Sequence, residues 1–253
     1  MPDDLLDQDA WLARIGYSGS RAPTLATLQR KMIGSRRGGY CFEQNMLFRG
    51  GLRSLGFDVT SFQARVVRGL AIDAPRPMFH MVLQVNLPEG PYLADVGFGN
   101  VAPTAPLQLT VDVEQDTPHE VMRFIRMGDE LTLQSRLGEW WEHIYRVVFL
   151  PRLDAEYEIC NWFTASHPDN IHGRNLIVAR PGPNRTRITL FNARLSVRHA
   201  SGAVERRMLA DRSEYCDVLT ETFGVVLSDE ELATALETVA QKGAQGAPHP
   251  SFA

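Results

Sequence analysis

Residues 59–149 form a succession of short β-branched and aromatic runs, the first three bounded by Gly, Pro and Asp and the others separated by loops, with no stretch that reads as a long helix. The runs are 59–67, 79–85, 92–96, 107–113, 122–127, 131–134 and 143–149. Many short strands joined by tight turns predict a small antiparallel barrel or curled sheet. Helical patterns flank this region. Leu5, Leu6, Trp11, Leu12 and Ile15 make a loose helical stripe, a turn follows at 16–23, and 24–33 reads as a second helix. A third runs over 41–55 on Phe42, Met46, Phe48, Leu52 and Leu55, with Gly56 placed to end it. Gly50 and Gly51 inside that helix cost about 1 kcal/mol each relative to Ala, which implies close packing there.

From Asp154 the chain turns polar and mixed, with further strands predicted over 175–180 and 186–198. A helix over 213–223 ends at Gly224. Another begins at the capping box Ser228-Asp229-Glu230-Glu231, with Leu227 and Leu232 as its hydrophobic staple. Leu232, Leu236 and Val239 form its buried stripe, and 243–253 reads as a loose tail. The expected fold class is α+β: a helical subdomain over 1–56, a β unit over 57–150, and a mixed α/β unit over 151–253.

At 253 residues and 44% apolar content the chain can fill a sizeable core. Its formal charge of −4 comes from 26 basic and 30 acidic residues with no basic block, which argues against a nucleic-acid partner. No run approaches the roughly 18 apolar residues needed to cross a bilayer, so no membrane partner is expected. The start, Met1-Pro2-Asp3-Asp4, is acidic where a signal peptide would be basic and then apolar. Cys41, Cys160 and Cys216 lie at no repeating spacing, against a disulfide framework or a Cys-based metal site. A cytoplasmic protein without a metal is the expectation.

Cys41 is unusual among the three. It follows two glycines, which let the backbone turn sharply, and it opens a helix whose terminal partial charge favours thiolate over thiol. Arg36 and Arg37 would push the same way, and the free N–H groups there could receive an oxyanion on an acyl carbon attacked by the sulfur. Cys160 and Cys216 lack such a setting and read as structural. A thiolate needs a base, and the base an orienting group. His80 starts an apolar strand, and folding the hairpin about Pro88 and Glu89 brings Asp95 beside or diagonal to it on the same face. On geometry alone a structural His–Asp bridge is as good a reading as a catalytic pair. His119, His143, His167, His172, His199 and His249 lie in loop-like or polar surroundings that suit local hydrogen bonding. Gly97-Phe98-Gly99 is only a fragment of a dinucleotide fingerprint. Asn184-Arg185-Thr186 matches a glycosylation sequon by chance, and residues 139–143 suit a packed strand edge.

Arg37-Gly38-Gly39-Tyr40-Cys41-Phe42-Glu43-Gln44-Asn45 closely resembles the nucleophile motif of the arylamine N-acetyltransferases. Phe79-His80-Met81-Val82-Leu83 and Ala94-Asp95-Val96-Gly97-Phe98-Gly99 resemble that family's histidine and aspartate segments, in the right order. The likeness extends through Asn161-Trp162-Phe163-Thr164-Ala165-Ser166-His167-Pro168 to the helix end at Phe223-Gly224 and the capping box after it. The resemblance implies a helical first domain, a β-barrel second domain and an α/β lid, with a triad arranged as in cysteine proteases. It implies a ping-pong transfer in which Cys41 takes an acetyl group from acetyl-coenzyme A and passes it to an aromatic amine or hydrazine. By the same resemblance His80 holds the thiol proton and Asp95 fixes the imidazole. Phe79 and Phe98 would wall an aromatic acceptor, and Gly99 and Phe163 would lie along the coenzyme A path; plain core packing is an equally open reading for the three phenylalanines.

The chain departs from the family in one place. A block carrying Pro-Phe-Glu-Asn between the first helices and the Cys motif is absent, so 24–29 runs almost directly into 30–36. Its loss implies thinner packing behind Cys41, a more open acceptor pocket, altered selectivity or a catalytically impaired member. Asp169, by position a lid residue near the coenzyme, is acidic where phosphates would pass. Three other readings compete. An amide synthase of the same fold would use a carrier-bound acyl group. A transglutaminase-like cysteine hydrolase also orders Cys, His and Asp this way, but the Arg-Gly-Gly-Tyr-Cys-Phe-Glu motif tells against it. A silent binding protein is the fourth.

Overall fold

The computed structural model describes residues 24–167 and 170–242. The stripe over 5–15, the turn over 16–23, Pro168, Asp169, His249 and the tail over 243–253 lie outside the described residues. Thr24 caps the first helix, α1 (Leu25–Leu28), by accepting the Thr27 N–H at 3.2 Å. That helix widens into a π-helical turn over Gln29–Gly34. Helix α2 (Cys41–Ser54) is the predicted third helix, and it ends at Gly56, whose φ of +87° suits glycine. The two interior glycines part ways. A Cβ at Gly50 would stand 2.5 Å from Leu25 Cδ2, so α1 needs that gap, whereas a Cβ at Gly51 would meet nothing within 4 Å among the described residues.

Strands β1 (Asp58–Val66), β2 (His80–Leu87), β3 (Gly90–Ala94), β4 (Leu107–Gln108), β5 (Gln115–Asp116), β6 (Val121–Met127), β7 (Glu130–Leu137) and β8 (Trp140–Val148) build one antiparallel sheet. Its order is β4-β3-β2-β1-β8-β7-β6-β5. The edges β4 and β5 meet through one side chain. Gln115 Oε1 accepts the Gln108 N–H at 2.7 Å, and Gln115 Nε2 donates to the Gln108 carbonyl at 2.8 Å. An amide side chain thus stands in for a backbone rung and brings the curled sheet close to a barrel. The strand predicted over 107–113 is interrupted, because Asp112 turns with φ +60° and leaves only a bridge from Val111 to Phe124. Inside the sheet Phe62, Val82, Leu93, Met122, Phe124 and Leu133 form the main core.

Helix α2 lies on β2, with Phe42, Met46, Met81 and Leu83 in a second cluster. Tyr157 closes that cluster from helix α3 (Asp154–Ser166), a helix where the sequence predicts only polar, mixed chain. The buried face of α3 is Tyr157, Asn161 and Thr164, so two of its three inward residues are polar and its apolar stripe is weak.

A second antiparallel sheet follows, β9 (Ile177–Pro181), β10 (Arg187–Phe191), β11 (Arg194–Arg198) and β12 (Val204–Met208), in the order β12-β11-β10-β9. The single strand predicted over 186–198 is two strands turned at Asn192, whose φ is +54°. Strand β12 is an addition to the predicted strands, an exposed edge carrying Glu205, Arg206 and Arg207, whose charges hide it in the sequence. Helix α4 (Arg212–Asp217) continues as a π-helical turn over Val218–Thr222, and helix α5 (Asp229–Lys242) opens at the predicted capping box. Ser228 N donates to Glu231 Oε2 at 2.8 Å, and Glu231 N donates to Ser228 Oγ at 3.2 Å. Leu232 is buried and Leu227 packs on the same cluster. None of the described helices is long and apolar enough to cross a membrane.

Candidate active site

Cys41 is the first residue of α2, and the chain reaches it through Gly38 and Gly39. A Cβ at Gly39 would stand 2.9 Å from Met32 Sδ and 3.1 Å from Glu43 Oε2, so the strand of backbone passes close beneath the π-helical turn. Glu43 accepts the Tyr40 N–H at 3.3 Å and is held by Lys31 at 2.6 and 2.7 Å. The Cys41 sulfur lies 3.7 Å from the Phe79 carbonyl oxygen. His80 opens β2 and is 2% exposed. The ladder pairs Leu83 with Ala94, so Asp95, one residue past it, falls diagonal to His80 on the same face.

His80 Nε2 meets Asp95 Oδ2 at 2.7 Å, leaving Nδ1 as the nitrogen for the sulfur. Burial pulls the His80 pKa down, but the Asp95 carboxylate and the Cys41 sulfur together raise it to about 10. Burial pushes Asp95 up, and His80, Asn45 and the Gly97 N–H outweigh it, holding the carboxyl below its ordinary range. The site therefore favours an imidazolium clamped by a carboxylate.

Two residues of this site had no assigned role in the sequence reading. Asn45, one turn along α2 from Cys41, is fully buried. Its Nδ2 donates to Asp95 Oδ1 at 2.9 Å and to the Met81 carbonyl at 2.7 Å, and its Oδ1 accepts the Val96 N–H at 3.1 Å. One amide thus ties α2 to the loop that carries Asp95. A polar residue four positions after the cysteine, on the face that carries Phe42 and Met46 inward, was the available signal. Tyr145 of β8 is the other. Its ring centroid lies 5.0 Å from that of His80 and 5.2 Å from that of Phe98. Burial, and then the adjacent Asp95 charge, hold its hydroxyl protonated far above the usual range. No sequence spacing pointed to it.

Gly97 has a role that the fingerprint fragment did not suggest. A Cβ there would lie 2.7 Å from the Cys41 Cα, so the aspartate loop touches the backbone of the nucleophile helix. Phe98 sets its ring edge-on to His80, with centroids 5.1 Å apart. Phe79 stacks on Phe163 of α3 at 4.6 Å, and Phe163 on His167 at 4.4 Å. Gly99, with φ +84°, faces β9, where a Cβ would sit 3.9 Å from Ala179. Tyr40 donates its hydroxyl to Asn161 of α3 at 2.5 Å.

Cys160 lies in the same cluster as Cys41, with its sulfur 3.2 Å from Gln63 Nε2, and burial raises its thiol pKa. Cys216 packs in the core of the second sheet. Arg37 pairs with Glu231 of α5, so its charge is engaged outside the triad. On the other side of α2, the described residues leave a groove of about 630 Å³ between α1 and α2, lined by Leu25, Ile33, Leu47, Phe48 and Val96 among others. None of Cys41, His80 and Asp95 lines it.

Residues 22–232 match the family model described as N-acetyltransferase. An arylamine N-acetyltransferase of Escherichia coli (strain K12) is 35% identical over 88% of this chain and 79% of its own length. One from Mycobacterium tuberculosis (strain ATCC 25618 / H37Rv) is 34% identical over 92% and 94%. The structure of the Mycobacterium marinum arylamine N-acetyltransferase in complex with CoA superposes with a TM-score of 0.81 at 32% identity, covering 87% of this chain and 83% of that one.

Proposed function

Because this chain belongs to the arylamine N-acetyltransferase family, we propose that it transfers an acetyl group from acetyl-coenzyme A, through Cys41, to an aromatic amine or hydrazine. The observation that carries this reading is the line of contacts from Cys41 to His80 to Asp95, anchored back to the nucleophile helix by Asn45.

In the first half-reaction the Cys41 proton passes to His80 and the sulfur attacks the acetyl carbonyl. The bond between that carbon and the coenzyme sulfur breaks, and the departing thiolate takes the proton from His80. In the second half-reaction the amine nitrogen attacks acetyl-Cys41. His80 accepts the proton that nitrogen sheds and returns it to the Cys41 sulfur as the amide leaves. Asp95 keeps one ring nitrogen occupied so that the other always meets the reacting sulfur, and its charge stabilises the imidazolium. N–H groups of the first turn of α2 are the donors for the oxyanion of both tetrahedral intermediates.

Phe79 and Phe98 are the proposed walls for a flat acceptor, supported by their positions beside the Cys41 sulfur and the His80 ring. Gly99 and Phe163 are the proposed donor contacts, on the α3 and β9 side of the site. The reading also takes 1–56, 57–150 and 151–253 as three subdomains, with the last as lid. It places the protein in the cytoplasm, where its three thiols stay free, acting on foreign aromatic amines.

Incubation with acetyl-coenzyme A should add one acetyl group to the intact protein, mapped to Cys41 and removed when an arylamine is added. Cys41→Ser should take up none. A folded wild-type protein that gains no acetyl group overturns the reading.

A further inference from the structure

The backbone that delivers Cys41 is gripped from two sides, each time by a capping glutamate. On the α2 side Glu43 accepts the Tyr40 N–H while Lys31 holds its carboxylate. On the far side Glu231, the capping-box residue of α5, pairs with Arg37. The same junction has a backbone bond, Val226 N donating to the Arg36 carbonyl at 3.0 Å, and Gly38 lies against Val225, where a Cβ would come within 3.9 Å of its side chain. Arg36 itself is held at φ +50°, a left-handed conformation that an arginine adopts only when its surroundings impose it. The four residues before Tyr40 therefore take their conformation from contacts with the π-helical turn over Gln29–Gly34, with the segment 225–226 and with Glu231 of α5.

The Arg37 and Glu231 side chains are 32% and 40% exposed, so the ion pair adds little to global stability. Its geometry is another matter. Glu231 uses Oε2 for the Ser228 N–H and Oε1 for Arg37, so the cap fixes the carboxylate before the arginine reaches it. A preorganised acceptor holds Arg37 at little entropic cost, and Arg37 adjoins the glycine pair that aims the sulfur.

We propose that Glu231 is a positioning residue for the Cys41 nucleophile, acting through Arg37, so that the start of the C-terminal helix sets the approach of the reactive cysteine. The proposal rests on the acetyltransferase reading of Cys41. Removing the Glu231 charge loosens the 36–39 segment and misplaces the sulfur relative to His80 without unfolding the chain.

Two substitutions separate positioning from stability. Glu231→Gln keeps an oxygen to accept the Ser228 N–H and loses the charge pair with Arg37. Ser228→Ala loses the hydroxyl cap and keeps the charge pair. Each is scored by the rate of acetyl loading of Cys41 at saturating acetyl-coenzyme A, by the rate of Cys41 alkylation with iodoacetamide, and by the melting midpoint. Glu231→Gln is expected to slow loading by about tenfold with an unchanged KM for acetyl-coenzyme A and a nearly unchanged midpoint. Ser228→Ala is expected to lower the midpoint and load at the wild-type rate. Arg37→Gln should reproduce Glu231→Gln, and the double variant should be no slower than either single one. The proposal fails if Glu231→Gln loads as fast as wild type, if its loss of rate follows only its loss of midpoint, or if the two single losses multiply. Alkylation keeps this test apart from the acetyltransferase reading. A wild-type protein that resists acetyl loading but is alkylated faster than Glu231→Gln would sink that reading and leave the positioning role standing.

Discussion

A Cβ placed on Gly97 would stand 2.7 Å from the Cα of Cys41 and 2.9 Å from its carbonyl oxygen. Those are backbone atoms and cannot swing aside, so Gly97→Ala must push the aspartate loop away from the nucleophile helix. Displacements near 1 Å at a reacting centre cost about a hundredfold in rate. Gly97→Ala should therefore load acetyl about a hundredfold more slowly, measured as acetyl-Cys41 formed in a quenched time course. Loading at the wild-type rate would mean that the loop is slack.

Asn45 joins three partners, Asp95, the Met81 carbonyl and the Val96 N–H. Asn45→Ala takes one partner from the buried Asp95 carboxylate, which keeps the Gly97 N–H, and one from the Met81 carbonyl, at about 1–3 kcal/mol for a buried group left unsatisfied. Denaturant unfolding should show a loss of that order, accompanied by slower acetyl loading. Asn45→Asp should be slower still, since a second carboxylate beside Asp95 keeps one of the two protonated.

Much of this arrangement was legible in the chain. The hairpin about Pro88 and Glu89 has a fixed period of two, so it carried the His80 and Asp95 relation in its register. The Gly-Gly-Tyr-Cys turn at a helix start and the capping box at Ser228 are local signals of the same kind. Tyr145 was not legible, because it reaches the site across the β1 and β8 pairing, which closes a loop of about eighty residues and leaves no local mark. Helix α3 was hidden because two of its inward residues are polar: Asn161 accepts the Tyr40 hydroxyl, and Thr164 donates to the Cys160 carbonyl of its own helix. The second sheet was blurred where Asn192 turns the chain inside a continuous β-like run.

The glycine pair in α2 gives a stability test in two directions. Gly51→Ala meets none of the described residues within 4 Å and should stabilise by about 0.5–1 kcal/mol, by relieving the backbone entropy cost of glycine in a helix interior. Gly50→Ala should destabilise, because its methyl would overlap the Leu25 side chain that α1 packs there. Equal effects of the two substitutions in thermal melts would contradict the contact between α1 and α2.

The His80 and Asp95 pair predicts how stability changes with pH. His80 has its pKa raised to about 10 by Asp95 and Cys41 against the pull of burial, so it binds its proton more tightly folded than unfolded. Its contribution is complete below about pH 6.5 and is lost as the pH rises toward 10. Asp95 has its pKa lowered, so its contribution is complete above about pH 4 and is lost in acid. The difference in unfolding free energy between wild type and His80→Gln should be largest near pH 5–6 and shrink by pH 9. A difference that grows with pH would mean that His80 is held neutral.

Glu120 fastens the second sheet to the first. It accepts from Arg187 Nε at 3.0 Å and from Arg198 Nη2 at 2.7 Å, and Arg187 also donates to the Ala102 carbonyl at 3.0 Å. Arg187 and Arg198 are register partners on β10 and β11, so one carboxylate grips adjacent strands of the opposite sheet. Burial raises the Glu120 pKa and the two guanidinium groups more than offset it, so the carboxylate's contribution is present at neutral pH and lost as its folded pKa is passed in acid. Glu120→Ala strands the Arg187 charge, whose side chain is 1% exposed, and should cost about 3–5 kcal/mol, the range for breaking a buried pair from one side. Replacing both partners, Glu120→Leu with Arg187→Met, should recover much of that loss, because the fully buried charge is then gone and only the part-exposed Arg198 loses its Glu120 partner. If urea unfolding finds the double variant less stable than Glu120→Ala, Arg187 has a stabilising role apart from its pairing with Glu120.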